Sequence, residues 1–139
     1  MSRLPRIALA LLVALLAACN SGAGSKPDAL DRTLYDYSGA IRWNNFEVAW
    51  DMVDPKVREA KPLTDFELER LKQVQITHYN LVASITLPDG RIAREVELGV
   101  VNRHTQAERV VRVREIWRYD DEAQRWWQTE GLPVLAQDR

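Results

Sequence analysis

Cysteine and histidine are scarce in this chain of 139 residues, which contains one cysteine and two histidines. Cys19 therefore has no partner for a disulfide within the chain. Zinc sites need three or four Cys, His or carboxylate ligands at short spacings, and His78 and His104 have no such neighbours. A calcium loop, a phosphate loop and a Gly-x-Ser-x-Gly elbow are also absent. The sequence predicts no catalytic residue, no metal site and no cofactor, and it favours a protein that is not an enzyme.

A surplus of positive charge is missing as well. The formal net charge is −1, from 19 basic and 20 acidic side chains. Nucleic-acid-binding domains normally carry a strongly basic balance, so we expect no nucleic acid as a partner. A chain of this length is sufficient for one domain with a single core, but not for two.

The sequence has one long apolar run, at residues 7–18, which follows a short basic start. A basic start, an apolar core and small closing residues are the layout of a secretory signal. The run contains twelve residues, whereas a membrane-spanning helix needs about 20. We therefore expect a signal peptide over residues 1–18.

The end of this run carries the motif Leu16-Ala17-Ala18-Cys19. It resembles the lipobox of bacterial lipoproteins, in which the signal is cleaved before a cysteine whose thiol accepts a diacylglyceryl group. The resemblance implies lipidation of Cys19 and attachment to an envelope membrane, facing the periplasm. Asn20 is not the aspartate of an inner-membrane retention signal, which favours the outer membrane. The alternative is an ordinary cleaved signal followed by a chance cysteine.

The residues after Cys19 are small and polar up to position 27. Such a composition cannot bury enough apolar surface to order the backbone, so residues 19–27 are expected to form a flexible tether. Extended, the tether would reach roughly 25 Å. Residues 28–139 are then predicted to form a single α+β domain.

Helical periodicity comes first in this domain. Apolar residues recur at three- and four-residue spacing from Asp28, which predicts an amphipathic helix with Leu30, Leu34, Tyr37 and Ile41 on one face. A second helix is expected after the possible caps Asn44 and Asn45, and Asp54-Pro55 should interrupt it. Thr64 and Glu67 have the spacing of a capping box at the start of a further helical turn.

After Lys72 the pattern changes to period two, with turn residues at 88–90, 104–107 and 120–124. Four antiparallel strands are predicted. A two-residue turn at Asp89-Gly90 pairs Leu81 with Leu98, and a turn at 104–107 pairs Leu98 with Val113. Both registers place the apolar residues of three strands on one face.

One part of the first strand does not fit this face. Val74 and Ile76 have the parity of the opposite side. We predict a β-bulge near Thr77 and His78, because one extra residue would turn both halves of the strand toward the core.

This order of elements, helices followed by a long bent meander, resembles the nuclear-transport-factor-2-like, or cystatin-like, superfamily. The resemblance implies N-terminal helices packed on a curved four-stranded antiparallel meander, a cone-like roll. The superfamily contains ketosteroid isomerases and dehydratases as well as non-catalytic lipoprotein and secretion-system domains, so it implies no particular activity.

The predicted register leaves two charged residues on the apolar face. Arg94 lies opposite Trp117, with Glu115 diagonally beside it, and we expect the two charges to pair because an isolated buried charge is costly. Together with three aromatic residues they form a possible pocket: Tyr79, Arg94, Glu115, Trp117 and Tyr119. The alternative is a structural ion pair.

Five tryptophans raise the possibility of an aromatic binding surface. Trp43, Trp50 and Trp117 are expected to lie in the core. Trp126 and Trp127 are adjacent in the last strand, so one of them must point outward unless that strand is covered. An exposed tryptophan would mark a partner surface.

The sequence thus predicts a non-catalytic binding or assembly module, anchored to the membrane through Cys19 and meeting a protein partner in the envelope. A small-molecule carrier or enzyme that uses a cone-shaped pocket around Arg94 and Glu115 is the alternative, and a subunit of a signalling or secretion apparatus is a third. An open cavity reaching these two residues would favour the pocket, and a filled core would favour the binding module.

Overall fold

The computed structural model describes residues 24–135, and both Cys19 and the predicted signal lie outside them. The predicted α+β fold is confirmed: four helices accompany one antiparallel sheet with strand order β1-β2-β3-β4. The helices are α1 (Lys26–Arg42), α2 (Phe46–Asp51), α3 (Pro55–Ala60) and α4 (Asp65–Lys72). The strands are β1 (Val74–Thr86), β2 (Ile92–Asn102), β3 (Glu108–Asp120) and β4 (Arg125–Gln128).

Helix α1 begins at Lys26, so Lys26 and Pro27 of the predicted tether are helical. The hydroxyl of Ser25 accepts a hydrogen bond from the backbone N–H of Asp28 at 3.3 Å. The carboxylate of Asp28 lies in the first turn, where its negative charge interacts favourably with the helix dipole. The buried positions of α1 follow the predicted stripe and include Tyr37, Ala40 and Ile41.

Helices α3 and α4 begin at side-chain caps, whereas Asn45, one of the two predicted caps of α2, occupies the cap position without a side-chain hydrogen bond. Asp54 accepts from the N–H of Lys56 at 2.9 Å and so caps α3, with Pro55 next to it. The capping box of α4 is confirmed, since Thr64 and Glu67 each bond the other's backbone N–H. These caps satisfy donors that a helix of six or eight residues cannot satisfy internally.

The bulge predicted near Thr77 and His78 is confirmed by a register shift between Ile76 and His78. Val74 and Ile76 are consequently buried. Gly99, the residue opposite His78, makes room for the bulge, because a Cβ atom at this position would lie 2.3 Å from His78 Nδ1.

Both predicted hairpin registers are wrong, each because of its turn. The first loop has three residues, 88–90, and Leu87 donates to the carbonyl of Arg91 at 2.7 Å to close it. The second turn begins at Asn102, whose side chain accepts from the N–H groups of His104 and Thr105. This moves β3 by two residues against β2, which preserves its faces and pairs Leu98 with Val111.

A second register shift, between Leu81 and Ala83, was not predicted. Between this shift and the turn, Ile85 pairs with Ala93 instead of the predicted Arg94 and stands on the outer face, 60% exposed. The extra residue reverses the parity of the strand beyond it.

The core lies between α1, α2 and one side of the sheet, which we call the helical face. Its fully buried side chains include Tyr37, Ile41 and Phe46 from the helices and Val96, Leu98, Val100 and Trp117 from the strands. The ring of Tyr37 meets that of Trp117 edge to face, with centroids 5.0 Å apart. This contact fixes α1 over β3.

The outer edge of β4 is covered by the segment between α2 and α3. Val53 bridges Gln128, and the N–H of Asp54 donates to the Gln128 carbonyl at 2.8 Å. The Asp54 carboxylate also accepts from the guanidinium of Arg118 on β3, and this hydrogen bond lowers the pKa of Asp54.

The tryptophans differ in part from expectation. Trp126 and Trp127 are both buried, and the guanidinium of Arg125 lies 4.0 Å from the centre of the Trp127 ring. The expectation that Trp43 lies in the core is wrong, because its side chain is 83% exposed. Trp43 follows the last turn of α1, where the chain leaves the helix and turns away from the apolar stripe.

Gly99 and Gly39 provide a matched pair of tests. Gly99→Ala should destabilise the fold by about 1–3 kcal/mol, because the new methyl group would overlap with Thr77 and His78. Gly39→Ala, in an open position of α1, should stabilise it by about 0.5–1 kcal/mol through helix propensity. Urea unfolding measures both, and equal effects of the two substitutions would contradict the bulge geometry.

Candidate functional site

Four of the five residues of the predicted pocket lie together on the helical face of the sheet. Tyr79 comes from β1, Arg94 from β2, and Glu115 and Trp117 from β3. We call this set the Glu115 cluster. Arg94 pairs directly with Glu115 across the strands, where a diagonal arrangement was predicted, because β3 is shifted by two residues.

The carboxylate of Glu115 accepts hydrogen bonds from all three partners. Its Oε1 atom accepts from the Tyr79 hydroxyl. Its Oε2 atom accepts from Nη1 of Arg94 at 3.0 Å and from Nε1 of Trp117 at 3.1 Å. Glu115 is 3% exposed and Arg94 is 8% exposed. The two charges are thus removed from water together, with further donors that offset the desolvation of the carboxylate.

The hydroxyls of two tyrosines are close to this charge. Burial raises the pKa of Tyr37 well above its usual value, and the negative charge of Glu115 raises it further. The pKa of Tyr79 is raised for the same two reasons. Both phenols are therefore protonated at neutral pH, which leaves Tyr79 as a donor to Glu115. Within residues 24–135, the hydroxyl of Tyr37 makes no hydrogen bond.

A cavity of about 260 Å³ borders the cluster. Its wall includes Tyr37, Tyr79, Glu115 and Gln128, and another side is formed by the C-terminal segment (residues 130–135). The Gln128 side chain holds the start of this segment by accepting from the backbone N–H groups of Glu130 at 2.8 Å and Gly131 at 2.7 Å.

A second cavity of about 410 Å³ lies on the other side of the same C-terminal segment. Trp50, Leu63 and Leu71 contribute to its wall. The guanidinium of Arg109 donates to the carbonyl of Leu135, which is itself buried. The C-terminal segment therefore separates two hollows and is fixed near both of its ends.

Tyr119 lies apart from the Glu115 cluster, although it was predicted to belong to the same pocket. Its ring contacts Trp126 with centroids 5.3 Å apart, and Nζ of Lys26 lies 4.4 Å from the ring centre. In place of Tyr119, the structure brings Tyr37 to the cluster. The apolar stripe of α1 predicted that Tyr37 is buried, but not which strand it faces.

The remaining candidate residues form no site with these. His78 lies on the outer face, with Nε2 at 3.8 Å from a carboxylate oxygen of Glu97. Across residues 24–135, no three His, Cys, Asp or Glu side chains are grouped in a way that could hold a metal ion. None of the helices in that range is both long enough and apolar enough to cross a membrane.

Comparison with protein-family models and with curated protein sequences gives no match. Among solved structures, a SEC-C motif containing protein from Psychrobacter arcticus superposes with a TM-score of 0.58 at 9% sequence identity, over 84% of this chain and 66% of that protein. The intermembrane space region of the chloroplast protein ARC6 has a TM-score of 0.43 and 14% identity, over 82% of this chain and 98% of that region. The first likeness shows the fold alone, and the second carries no argument.

Tyr79→Phe and Tyr37→Phe test the hydrogen bonding of the cluster. Tyr79→Phe should lower the free energy of unfolding by about 1.5–3 kcal/mol, because a buried carboxylate loses a donor. Tyr37→Phe removes a hydroxyl without a partner in the described residues and should cost clearly less. Urea unfolding of both variants is the measurement, and a larger loss for Tyr37→Phe would refute this assignment of the donors.

Proposed function

We propose that this protein is a bacterial envelope lipoprotein, anchored through lipid on Cys19 and facing the periplasm from the outer membrane. Its domain, which we assign to the nuclear-transport-factor-2-like superfamily, serves as a non-catalytic binding or assembly module. The lipobox at residues 16–19 supports the anchor, and the order of helices and strands supports the superfamily.

A non-catalytic role is supported mainly by the Glu115 carboxylate, which is buried and fully engaged in hydrogen bonds within the protein. A general base needs a carboxylate oxygen that can approach the substrate proton. Both oxygens of Glu115 already accept hydrogen bonds from the protein, three in all, and the residue is nearly inaccessible to solvent. The Arg94–Glu115 pair on the helical face thus stabilises the fold and is not available to a substrate.

Binding is supported by apolar side chains at the surface of β1. Leu81 is 52% exposed, Val82 is 47% exposed and Ile85 is 60% exposed. Single exposed apolar residues are normal on soluble domains, but these three lie within five residues of one edge strand and flank its backbone on both faces of the sheet, as a strand-pairing site does.

A small-ligand carrier is a second candidate, because a cavity lies next to Tyr37 and Glu115. Pockets for small molecules usually measure about 300–1,000 Å³. The cavity at the cluster lies just below this range at about 260 Å³, and its neighbour at about 410 Å³ lies within it. A ligand here would meet Tyr37, whose hydroxyl has no hydrogen-bond partner among residues 24–135, and the C-terminal segment.

Expression of the full chain in a Gram-negative host tests the anchor and the assembly role together. We expect mass spectrometry to show an N-terminal diacylglyceryl-modified Cys19, and we expect the protein in the membrane fraction and, after mild detergent extraction, in a complex larger than one chain. Cys19→Ser is the matched control and should enter the soluble fraction. An unmodified Cys19 would remove the anchor from the proposal, and a monomer in the extract would remove the assembly role.

A further inference from the structure

We infer that residues 79–86 of β1, which we call the open edge, pair antiparallel with the open edge of a second copy of this chain. The pairing joins two four-stranded sheets into one continuous sheet across a two-fold axis. This inference deepens the proposed function and rests on it, since it names the partner in the assembly.

Two other stretches of sheet edge are covered by the chain itself, whereas residues 108–115 of β3, which β4 does not reach, carry charged side chains such as Glu108, Arg109 and Arg112. The edge of β4 is bonded to the segment 52–54. The start of β1 is covered by Asn44, whose Nδ2 donates to the carbonyl of Val74 at 2.6 Å and whose Oδ1 accepts from the N–H of Ile76 at 3.2 Å. The left-handed backbone of Asn44 (φ 57°) presents its amide to β1 in this way.

The open edge has no such cover. In the described part of the chain, the backbone of residues 79–86 bonds only to β2 on one side. Every second residue of an edge strand directs its N–H and C=O away from the sheet, so this stretch offers a row of unsatisfied groups. Such a row is a template for another strand.

The usual protection of an edge is also missing here. Natural edge strands carry charged side chains, above all lysine, or are kept short. The ten residues from Tyr79 to Pro88 include no charged side chain, in a protein of which 28% is charged. The register shift after Leu81 sends Leu81 to the helical face and Ile85 to the outer face. An added strand would therefore find an exposed apolar side chain on each face of the extended sheet.

The absence of charge favours a second copy over a different protein. In an antiparallel pairing about a two-fold axis, residues near the axis lie opposite their own copies, where like charges would repel, and this strand has no charged residue. Charges arranged to select a foreign partner and reject others are absent for the same reason. Attachment of both copies to one membrane would raise their effective concentration and favour a pairing that uses few contacts.

Site-specific photo-cross-linking of the full-length chain tests this pairing. A benzoylphenylalanine replaces Ser84 on the open edge, and in a matched control it replaces Val110, which is 57% exposed on β3. After illumination of intact cells, we expect a product of twice the chain mass from position 84 and little from position 110. Adding Ile85→Lys should lower the yield about tenfold, equivalent to about 1.4 kcal/mol, whereas Val110→Lys should leave it unchanged.

Each outcome bears on the inference. Equal products from both positions, or no product of twice the chain mass, would overturn it. A cross-link from position 84 to a different protein would also overturn it, yet would leave the binding role of the proposed function intact. Unaltered thermal unfolding of the Ile85→Lys variant shows that its loss of cross-linking comes from the edge and not from misfolding. Mass spectrometry of the N-terminus of the cross-linked protein reports on Cys19 directly, so a failure of the anchor is detected separately.

Discussion

The buried carboxylate of Glu115 is the constraint on which the rest of the domain depends. A carboxylate removed from water costs several kcal/mol unless donors surround it, and here the donors come from three neighbouring strands. Arg94 neutralises the charge from β2, and Tyr79 reaches it from β1. Trp117 donates from β3 and at the same time contacts the Tyr37 ring edge to face. One acidic side chain thus ties the sheet together and positions α1 on it.

The surface of the domain offers more for binding than its interior does. Tyr79, Arg94 and Trp117 all donate to Glu115, so both oxygens of this buried carboxylate are engaged within the fold. The chain also covers β4 and the start of β1, through Asp54 and Asn44. In the distal half of β1, by contrast, backbone groups without a partner among the described residues and apolar side chains face solvent together. A domain whose described residues include an uncharged open edge is suited to assembly.

Local signals in the sequence predict much of this fold. The stripe of α1, the capping box at Thr64 and the bulge near His78 depend on residues close to one another in the chain, and all three are confirmed. The pairing of Arg94 with Glu115 was also predicted, because an isolated charge on a buried apolar face is costly and an opposite charge lay nearby. The predicted registers of the two hairpins were wrong, because residues typical of turns do not determine how many residues the loop contains. The second bulge and the place of Tyr37 depend on tertiary packing, for which the sequence carries no local sign.

The central claim is that Arg94 and Glu115 form a structural pair, and a double-mutant cycle tests it most directly. The four proteins are the parent, Arg94→Met, Glu115→Gln and the double variant, compared by their free energy of unfolding in urea. Each single variant leaves one buried charge without its partner and should lose about 3–5 kcal/mol, whereas the double variant, which buries no charge, should lose clearly less than the sum. Additive losses, or single losses below about 0.5 kcal/mol as at an ordinary surface position, would contradict the account.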